Sequence, residues 1–302
     1  MTQQIDLVTK MLPLIDEVYK KEAKSAILEA PSELVQETQD ANTFKIAKLA
    51  LMGLGDYSKT TGFPEGDISL TWETHTFAND RGRRFSVDRM DNIESFGLVA
   101  GRMVGEFIRQ YVIPEIDAYR FAKIASKAGN IATAATLTAS TAKSALDTAI
   151  TALQEKEVDD NRQIIFATPT VAQLLSDNIT RTTLNGENAI NNVIESYNGI
   201  QIVRVPQTRF YTQITLADGQ PSGGANTIGG YSKTATTGAD INFIVMDKAA
   251  SVNITKSVVA KLFTPDENQN KDAWQFDYRL YHDSFVFDNK KAGIYLNAKA
   301  AG

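Results

Sequence analysis

One stretch decides the fold of this chain: residues 93–128 read IESFGLVAGRMVGEFIRQYVIPEIDAYRFAKIASKA. Apolar side chains recur in it every three or four residues, the spacing of one helical face: Ile93, Phe96, Ala100, Met103, Val104, Phe107, Ile108 and Tyr111. At about 1.5 Å per residue, a helix over the whole stretch would be roughly 54 Å long. A compact domain of this size does not need such a length. We therefore predict a helix that braces an extended structure.

Pro114 interrupts this stretch. Proline cannot donate a backbone hydrogen bond and crowds the carbonyl of Gln110, so the helix should kink or restart there. Glu115 and Asp117 suit the first turn of a renewed helix, where acidic side chains face the positive end of the helix dipole. The pattern is compatible with one kinked helix or with two core helices that meet at Pro114.

The composition disfavours several functions. The 302 residues suggest about two domains, and 43% apolar or aromatic content is enough for a sizeable core. With 36 acidic and 31 basic residues, the net charge is −5, and no Lys or Arg run follows a phosphate backbone. The absence of cysteine excludes disulfides, thiolate catalysis and Cys-ligated zinc. Neither a secretory signal nor an apolar membrane span is present, so we expect no membrane partner.

Two segments before the long helix lack an evident partner. Residues 1–56 carry two short apolar sets, over 7–19 and 44–54, and we expect this arm to pack on its own subunit or on a neighbour. Residues 57–91 alternate in polarity around Trp72 and again around Phe85, with turn-type residues at 79–82, so they predict a long β-hairpin. An isolated hairpin is marginally stable, so it should lie on a neighbouring surface. The alternative is a hairpin packed on its own domain with a solvated, charged tip.

The remainder mixes helices and strands. We predict a linker, helices, core strands and an exposed glycine-rich loop, in the order linker 129–140, helix 141–157, strand 164–167, helix 170–178, strand 200–205, loop 217–239, and strands 240–246, 252–263 and 274–281. Helices grouped with antiparallel strands, without strict alternation, indicate the α+β class.

Catalytic motifs are not found. The two histidines, His75 and His282, have no metal-ligand spacing, and the sequence holds no nucleophile elbow, phosphate-binding loop or dinucleotide fingerprint. We therefore expect no enzyme activity and no cofactor, and a hydrolase is a minor alternative.

One segment imitates a calcium loop. Asp266, Asn268, Asn270 and Asp272 occupy alternate positions, and Asp277 falls at the twelfth. Lys271 stands where that loop requires glycine, and no helices flank the segment. A polar turn is therefore favoured over a calcium-dependent binding module, which stays as an alternative.

The order of elements and four motifs carry a family resemblance. The motifs are Gly55-Asp56-Tyr57-Ser58 leading to Gly62-Phe63, DRGRRFSVDRMDNIES at 80–95, VIPEIDAYRFAKIA at 112–125, and DAWQFDYRLYHDSFVFDNKKAGIYLN at 272–297. Together they resemble the major capsid protein of tailed bacteriophages and prophages, with the Hong Kong 97-type fold. The resemblance covers most of the chain and is weakest in the Ala/Thr-rich linker and the glycine-rich loop.

The resemblance implies a division of the chain. Its parts are an N-terminal arm (1–56), an extended E-loop hairpin (57–91), the spine helix of a P-domain (92–132), an A-domain (133–251), and returning P-domain strands with the C-terminus (252–302). It also implies self-assembly into hexamers and pentamers of an icosahedral shell that encloses double-stranded DNA.

Contacts and partners follow from the same resemblance. We expect intersubunit contacts at Trp72, Arg81, Arg83, Arg84, Asp88, Asp91 and Glu94. No long coiled-coil extension precedes the arm, so a separate scaffolding protein is implied, together with a portal protein and DNA held without sequence-specific binding. The protein would be assembled in the bacterial host cytoplasm and reside in the virion capsid. An encapsulin-like compartment shell, filled with a cargo enzyme instead of DNA, is the alternative within the same fold.

Overall fold

A computed structural model describes residues 23–29, 36–37, 43–60, 62–90, 98–178, 195–219 and 228–300. Its α-helices are α1 (Leu98–Phe107), α2 (Ile113–Ser126), α3 (Ala139–Gln154) and α4 (Pro169–Asn178). Its strands are β1 (Gln36–Glu37), β2 (Thr43–Leu51), β3 (Ile68–Thr76), β4 (Asn79–Asp88), β5 (Asn130–Ile131), β6 (Gln163–Ala167), β7 (Ser196–Tyr197), β8 (Ile200–Arg204), β9 (Ile214–Leu216), β10 (Tyr231–Lys233), β11 (Ile241–Asp247), β12 (Ser251–Phe263), β13 (Ala273–Val286) and β14 (Ile294–Ala298). The arm's first apolar set lies outside the described residues.

A six-stranded sheet forms the centre of one half of the molecule. Its strand order is β5-β14-β11-β6-β8-β7, in which β6 pairs parallel to β8 and β14 parallel to β5. Every residue of β6 and β11 is buried, because helices cover both faces of these apolar strands. Leu146, Ile150 and Leu153 of α3 pack on one face, and Phe121 and the end of α2 on the other.

Helix α3 begins two residues earlier than its pattern predicts. Thr138 is the N-cap, and its backbone N–H donates to the Thr141 hydroxyl at 2.9 Å in a reciprocal capping box. Thr141, which the sequence predicts as the cap, therefore acts at the third helical position.

The long helix is continuous through the described residues. Helix α1, a π-helical turn at Ile108–Val112, and α2 follow one another without a break, over roughly 40 Å. The backbone N–H of Ile113 donates to the carbonyl of Ile108, five residues earlier. Pro114 at the start of α2 supplies no N–H, and the widened turn before it absorbs that loss. The predicted restart at Pro114 is confirmed, within one helix that we call the spine (residues 98–126).

A second sheet lies against the first half of the spine. Its order is β12-β13-β4, all antiparallel, and β12 and β13 form a long hairpin. Val104 and Ile108 of the spine pack with Phe276 and Leu280 of β13 in a separate apolar cluster. The strand predicted over 274–281 is confirmed as part of β13, and its Phe276, Tyr278 and Leu280 are buried on one face.

The predicted hairpin over 57–91 is wrong in its pairing. Strand β3 pairs with β2, with Trp72 opposite Ala47, whereas β4 pairs with β13. The turn-type residues 79–82 lie inside β4, because the fourteen-residue β13 offers them a long partner. Gly82 is required there by close approach: a Cβ would lie 2.9 Å from the carbonyl oxygen of Tyr278. The hairpin thus begins in the segment predicted as the arm.

Residues 252–302 divide between the two sheets. Strands β12 and β13 lie beside the spine, but β14 pairs with β11 and β5 in the six-stranded sheet. Ile294 and Leu296 enter the apolar cluster beneath α2, which explains the placement. Within the described residues, no helix is long and apolar enough to cross a membrane.

Candidate assembly surface

The hairpin of β2, β3 and their connection (residues 43–76), which we call the projecting hairpin, exposes a large apolar surface. In the connection, residues 51–57 and 63–69 are all exposed. Leu54 is 108% exposed and Phe63 85%. The other large apolar side chains exposed there are Leu51, Met52, Tyr57, Ile68 and Trp72. Several large apolar side chains exposed on one hairpin are typical of an interaction site.

The projecting hairpin keeps its shape through its own contacts. Ser58 and Gly62 exchange backbone hydrogen bonds of 3.1 and 2.8 Å in the connection. The rings of Tyr57 and Phe63 lie 4.9 Å apart, so the tip presents one aromatic unit. At the other end, His75 contacts Phe285 at 4.8 Å. The hairpin is therefore anchored at its base and exposed over residues 51–57 and 63–69.

Strand β3 is the edge of its sheet. The described order is β1-β2-β3, with β2 in the centre. An exposed edge strand beside apolar side chains is a template for association with another chain. Trp72, predicted as an intersubunit contact, lies on this strand and is 49% exposed.

Arg81 and Arg83 have partners in their own subunit. Arg81 donates to both carboxylate oxygens of Glu115, at 2.7 and 3.2 Å, and to the carbonyl of Ala217 at 2.7 Å. Arg83 donates to the carbonyl of Gly219 at 3.1 Å. Both arginines hold the start of the β9–β10 loop against β4, and Arg81 also joins it to the spine through Glu115. Their predicted intersubunit role stays a prediction.

Arg84 lies on the opposite, exposed face of β4. It forms a bidentate pair with Asp277 of β13, at 2.7 and 2.9 Å, which lowers the pKa of that carboxyl. Asp88 is also exposed and accepts a bond from the Met90 N–H at 2.9 Å. Asp91 and Glu94 lie outside the described residues. Arg84 and Asp88 are thus accessible to a second subunit.

A buried charge network was missed by sequence reasoning. Asp117 and Arg120 of α2 are both fully buried. Asp117 accepts bonds from the Ser25 hydroxyl at 2.7 Å and from the backbone N–H groups of Lys24 and Ser25 at 3.0 Å each, and Arg209 lies 3.3 Å away.

Arg120 completes this network. It donates to the Ser25 hydroxyl at 3.1 Å and to Glu29 at 3.3 Å. Residues 23–29 of the arm are therefore fixed to the spine of their own subunit. The available signal was the pair of opposite charges three residues apart among the apolar residues of 116–122.

His282 is a second buried polar group beside the spine. Its ring meets that of Tyr119 edge-on at 5.6 Å, and the Tyr119 hydroxyl donates to Asp283 at 2.8 Å. Burial, followed by the positive charges of Arg120 and Arg81, lowers the pKa of His282 to about 3. The imidazole is therefore neutral in the folded subunit.

The segment that imitates a calcium loop joins β12 to β13. Arg89 pairs with Asp272 at 2.9 Å and also with Asp266, while Asp277 pairs with Arg84. Arginine thus neutralises the three carboxylates that the calcium prediction required. The described residues hold no cluster of three or more metal-ligating side chains.

Comparison with known proteins supports a fold assignment. No protein-family model matches the sequence, and no curated protein sequence matches it significantly. A structure from Mycobacterium phage Che8 gives a TM-score of 0.58 at 14% identity, over 85% of this chain and 85% of that one. The capsid structure of cyanophage P-SCSP1u gives 0.58 at 12% identity, over 88% and 86%. The virus-like particle from Pyrococcus furiosus gives 0.50 at 10% identity, over 96% and 98%.

These likenesses extend over most of each chain. They confirm the predicted class: the chain has an α+β, Hong Kong 97-type capsid fold.

Proposed function

We propose that the protein is the major capsid protein of a tailed bacteriophage or prophage, with a structural and not an enzymatic role. The observation that carries the proposal is a capsid fold whose projecting hairpin is apolar and exposed in the isolated subunit. Burial of apolar area yields about 25 cal/mol per Å², so covering this hairpin by another copy drives association. Hexamers and pentamers of the chain would then form an icosahedral shell.

The proposed shell encloses double-stranded DNA without sequence-specific contacts. A net charge of −5 suits such a container, because a strongly basic wall would bind the genome too tightly for packing. We propose a separate scaffolding protein and a portal protein as further partners. Assembly would take place in the cytoplasm of a bacterial host, and the mature location would be the virion capsid.

Electron microscopy of the purified protein tests the proposal. We expect hollow, closed particles of uniform size, alone or after co-expression with the scaffolding protein of the same phage genome. Particles purified from infected or induced cells should protect DNA from nuclease. A protein that stays monomeric under all these conditions would contradict the proposal.

An encapsulin-like compartment shell is the second candidate. The likeness to the Pyrococcus furiosus virus-like particle, over 96% of this chain, is the observation behind it, but the higher TM-scores of the phage structures favour the phage capsid. Such a shell would assemble without scaffolding protein and would co-purify with a cargo enzyme in place of nuclease-resistant DNA. Mass spectrometry of purified particles separates the two candidates.

A further inference from the structure

Residues 23–29 of the arm join the spine to strand β12. Leu28 is 2% exposed and packs in the apolar cluster that contains Phe121 of α2. The side-chain amide of Asn253 on β12 donates to the Leu28 carbonyl at 3.2 Å, and Glu29 forms a parallel β-bridge with Asn253. We call this short segment the latch.

Arg120 is the buried cation that holds the latch. Its guanidinium donates to the Ser25 hydroxyl at 3.1 Å and, through two nitrogens, to Glu29 at 3.3 Å each. The same group donates to the hydroxyl of Thr255 on β12 at 3.4 Å. Thr255 lies directly opposite His282 in the pairing of β12 with β13. Arg120 therefore contacts the latch and also the cross-strand neighbour of His282.

His282 is buried on the central strand of this sheet. Among the described residues, its Nδ1 atom has no hydrogen-bond partner. The strands on either side contribute neutral neighbours, Thr255 of β12 and Asn79 of β4. The titratable and charged groups around the ring are Tyr119 and Arg120 of α2, Arg81 of β4 and Asp283 of β13.

A proton on this imidazole would meet two arginine cations. The carboxylate of Asp283 already accepts bonds from the Tyr119 hydroxyl and from the backbone N–H of Ala78, at 2.8 Å each. Burial, followed by the positive charges of Arg120 and Arg81, accordingly lowers the pKa of His282 from 6.5 to about 3. Between these values, proton uptake favours any opening that brings water to the ring, and favours it more as the pH falls.

The latch is the covering element that opens at the lowest cost. Strands β12 and β4 are paired with β13 along most of their length, and α2 packs in two apolar clusters. The latch is a short segment whose side-chain anchors are Asp117 and Arg120. Segments with few buried contacts open at a lower free energy than sheets and cores do.

We infer that the latch is an acid-sensitive switch: a proton taken up by His282 repels Arg120, which withdraws from Ser25 and Glu29 and releases residues 23–29 from the spine. This inference goes beyond the proposed shell function and does not depend on it, because every residue that it uses lies in one subunit. Between pH 7 and pH 5, the released population should rise about 20-fold.

The absence of cysteine allows the release to be measured by thiol labelling. In the purified, unassembled subunit, Leu28→Cys places a single thiol beneath the closed latch, where dithiodipyridine reaches it only after release. Its labelling rate, divided by that of the exposed control Thr151→Cys at the same pH, should rise about 20-fold from pH 7 to pH 5. Adding His282→Gln, which keeps a neutral polar side chain, should remove the rise.

Three results would overturn the inference. A rate that does not change with pH would show that the latch is insensitive to acid. A rise that persists in His282→Gln would assign the acid response to the carboxylates of Glu29 or Asp117. Ala142→Cys, fully buried beneath α3, reports global unfolding, and a labelling rate equal to that of Leu28→Cys would show that the latch opens only when the whole subunit unfolds.

Hydrogen exchange tests the same switch if Leu28→Cys does not fold. The backbone N–H groups of Lys24 and Ser25 donate to Asp117 in the closed latch. After correction for the intrinsic exchange rate at each pH, the peptide that covers residues 23–29 should lose protection at pH 5 in the wild type and keep it in His282→Gln. Equal protection in the two proteins at pH 5 would contradict the inference.

Discussion

The spine and the projecting hairpin depart from the usual rule in opposite ways: the spine buries charged side chains, and the hairpin exposes apolar ones. Asp117 and Arg120 are charged and fully buried in α2, whereas Leu54 and Phe63 are apolar and exposed at the hairpin tip. Asp117 and Arg120 each have several hydrogen-bond partners within the subunit. Leu54 and Phe63, in contrast, are left largely in contact with water by the rest of the subunit. The difference teaches that the spine finds its partners within its own chain, and we propose that the hairpin finds its cover on another copy.

Breaking the buried network should have the largest effect on the subunit. Asp117→Ala leaves the Ser25 hydroxyl, two backbone N–H groups and Arg209 without their acceptor, which costs about 3–5 kcal/mol of unfolding free energy. Urea denaturation of the unassembled subunit measures it. The matched control is Asp80→Ala, which removes an exposed pair with Arg279 and should cost about 1 kcal/mol or less. Equal losses of unfolding free energy in the two variants would show that the buried network stabilises the subunit no more than an exposed ion pair does.

Lowering the pH should reduce the free energy of unfolding of the subunit, because His282 is buried beside the spine. The folded protein keeps this imidazole neutral to about pH 3, whereas the unfolded chain takes up the proton near 6.5. The unfolded state therefore binds more protons between these values, so stability falls as the pH is lowered through them. The expected loss at pH 5 is about 2 kcal/mol relative to neutral pH.

The His282→Gln variant should lack this part of the pH dependence. His75→Gln, which removes the only other histidine, is the matched control. Denaturation midpoints at several pH values provide the comparison. If His282→Gln and wild type showed the same acid slope, the neutral buried imidazole would be the wrong explanation.

Substitutions in the hairpin should leave the subunit intact and abolish assembly. Leu54→Asp and Trp72→Ala change exposed side chains, so the free energy of unfolding should move by about 0.5 kcal/mol or less. Particle yield, measured by sedimentation, should fall to the background. Thr151→Asp, an exposed change on α3, is the control and should assemble normally. A large stability loss in Leu54→Asp would mean that the hairpin packs on its own subunit.

Reversing Arg84 should have the smallest effect on the subunit, because its pair with Asp277 is exposed. We expect Arg84→Glu to reduce particle yield more than it reduces stability. The double reversal Arg84→Glu, Asp277→Arg restores the pair within the subunit. If it also restored assembly fully, the intersubunit role of Arg84 would be wrong.

Local patterns predicted much of this fold. The three-and-four spacing depends on neighbouring residues and predicts the spine, whose Val104 and Ile108 pack on β13, although Tyr111 of the same pattern is exposed. The change of helix type at Pro114 also follows from local sequence. Pairing was less predictable, because residues 79–82 satisfy turn chemistry yet join β13, almost two hundred positions later. The residues next to 79–82 in the sequence do not indicate so distant a partner strand.

The candidate surface was predictable only in part. Trp72 followed from alternation in β3, and its exposure fits an assembly contact. Arg81 and Arg83 looked like surface charges, but Glu115 and the carbonyls of Ala217 and Gly219 are brought to them by the tertiary fold. The same holds for Asp117, whose partners at Lys24 and Ser25 lie in the arm.

Fluorescence of Trp72 during assembly tests the central claim most directly. The chain has two tryptophans, so Trp274→Phe leaves Trp72 as the sole reporter on the projecting hairpin. We predict red-shifted, readily quenched emission in the unassembled subunit, since Trp72 is 49% exposed, and a blue shift with loss of quenching as particles form. Emission that is already blue-shifted in a monodisperse monomer, or unchanged when particles form, would contradict burial of the hairpin by a second copy.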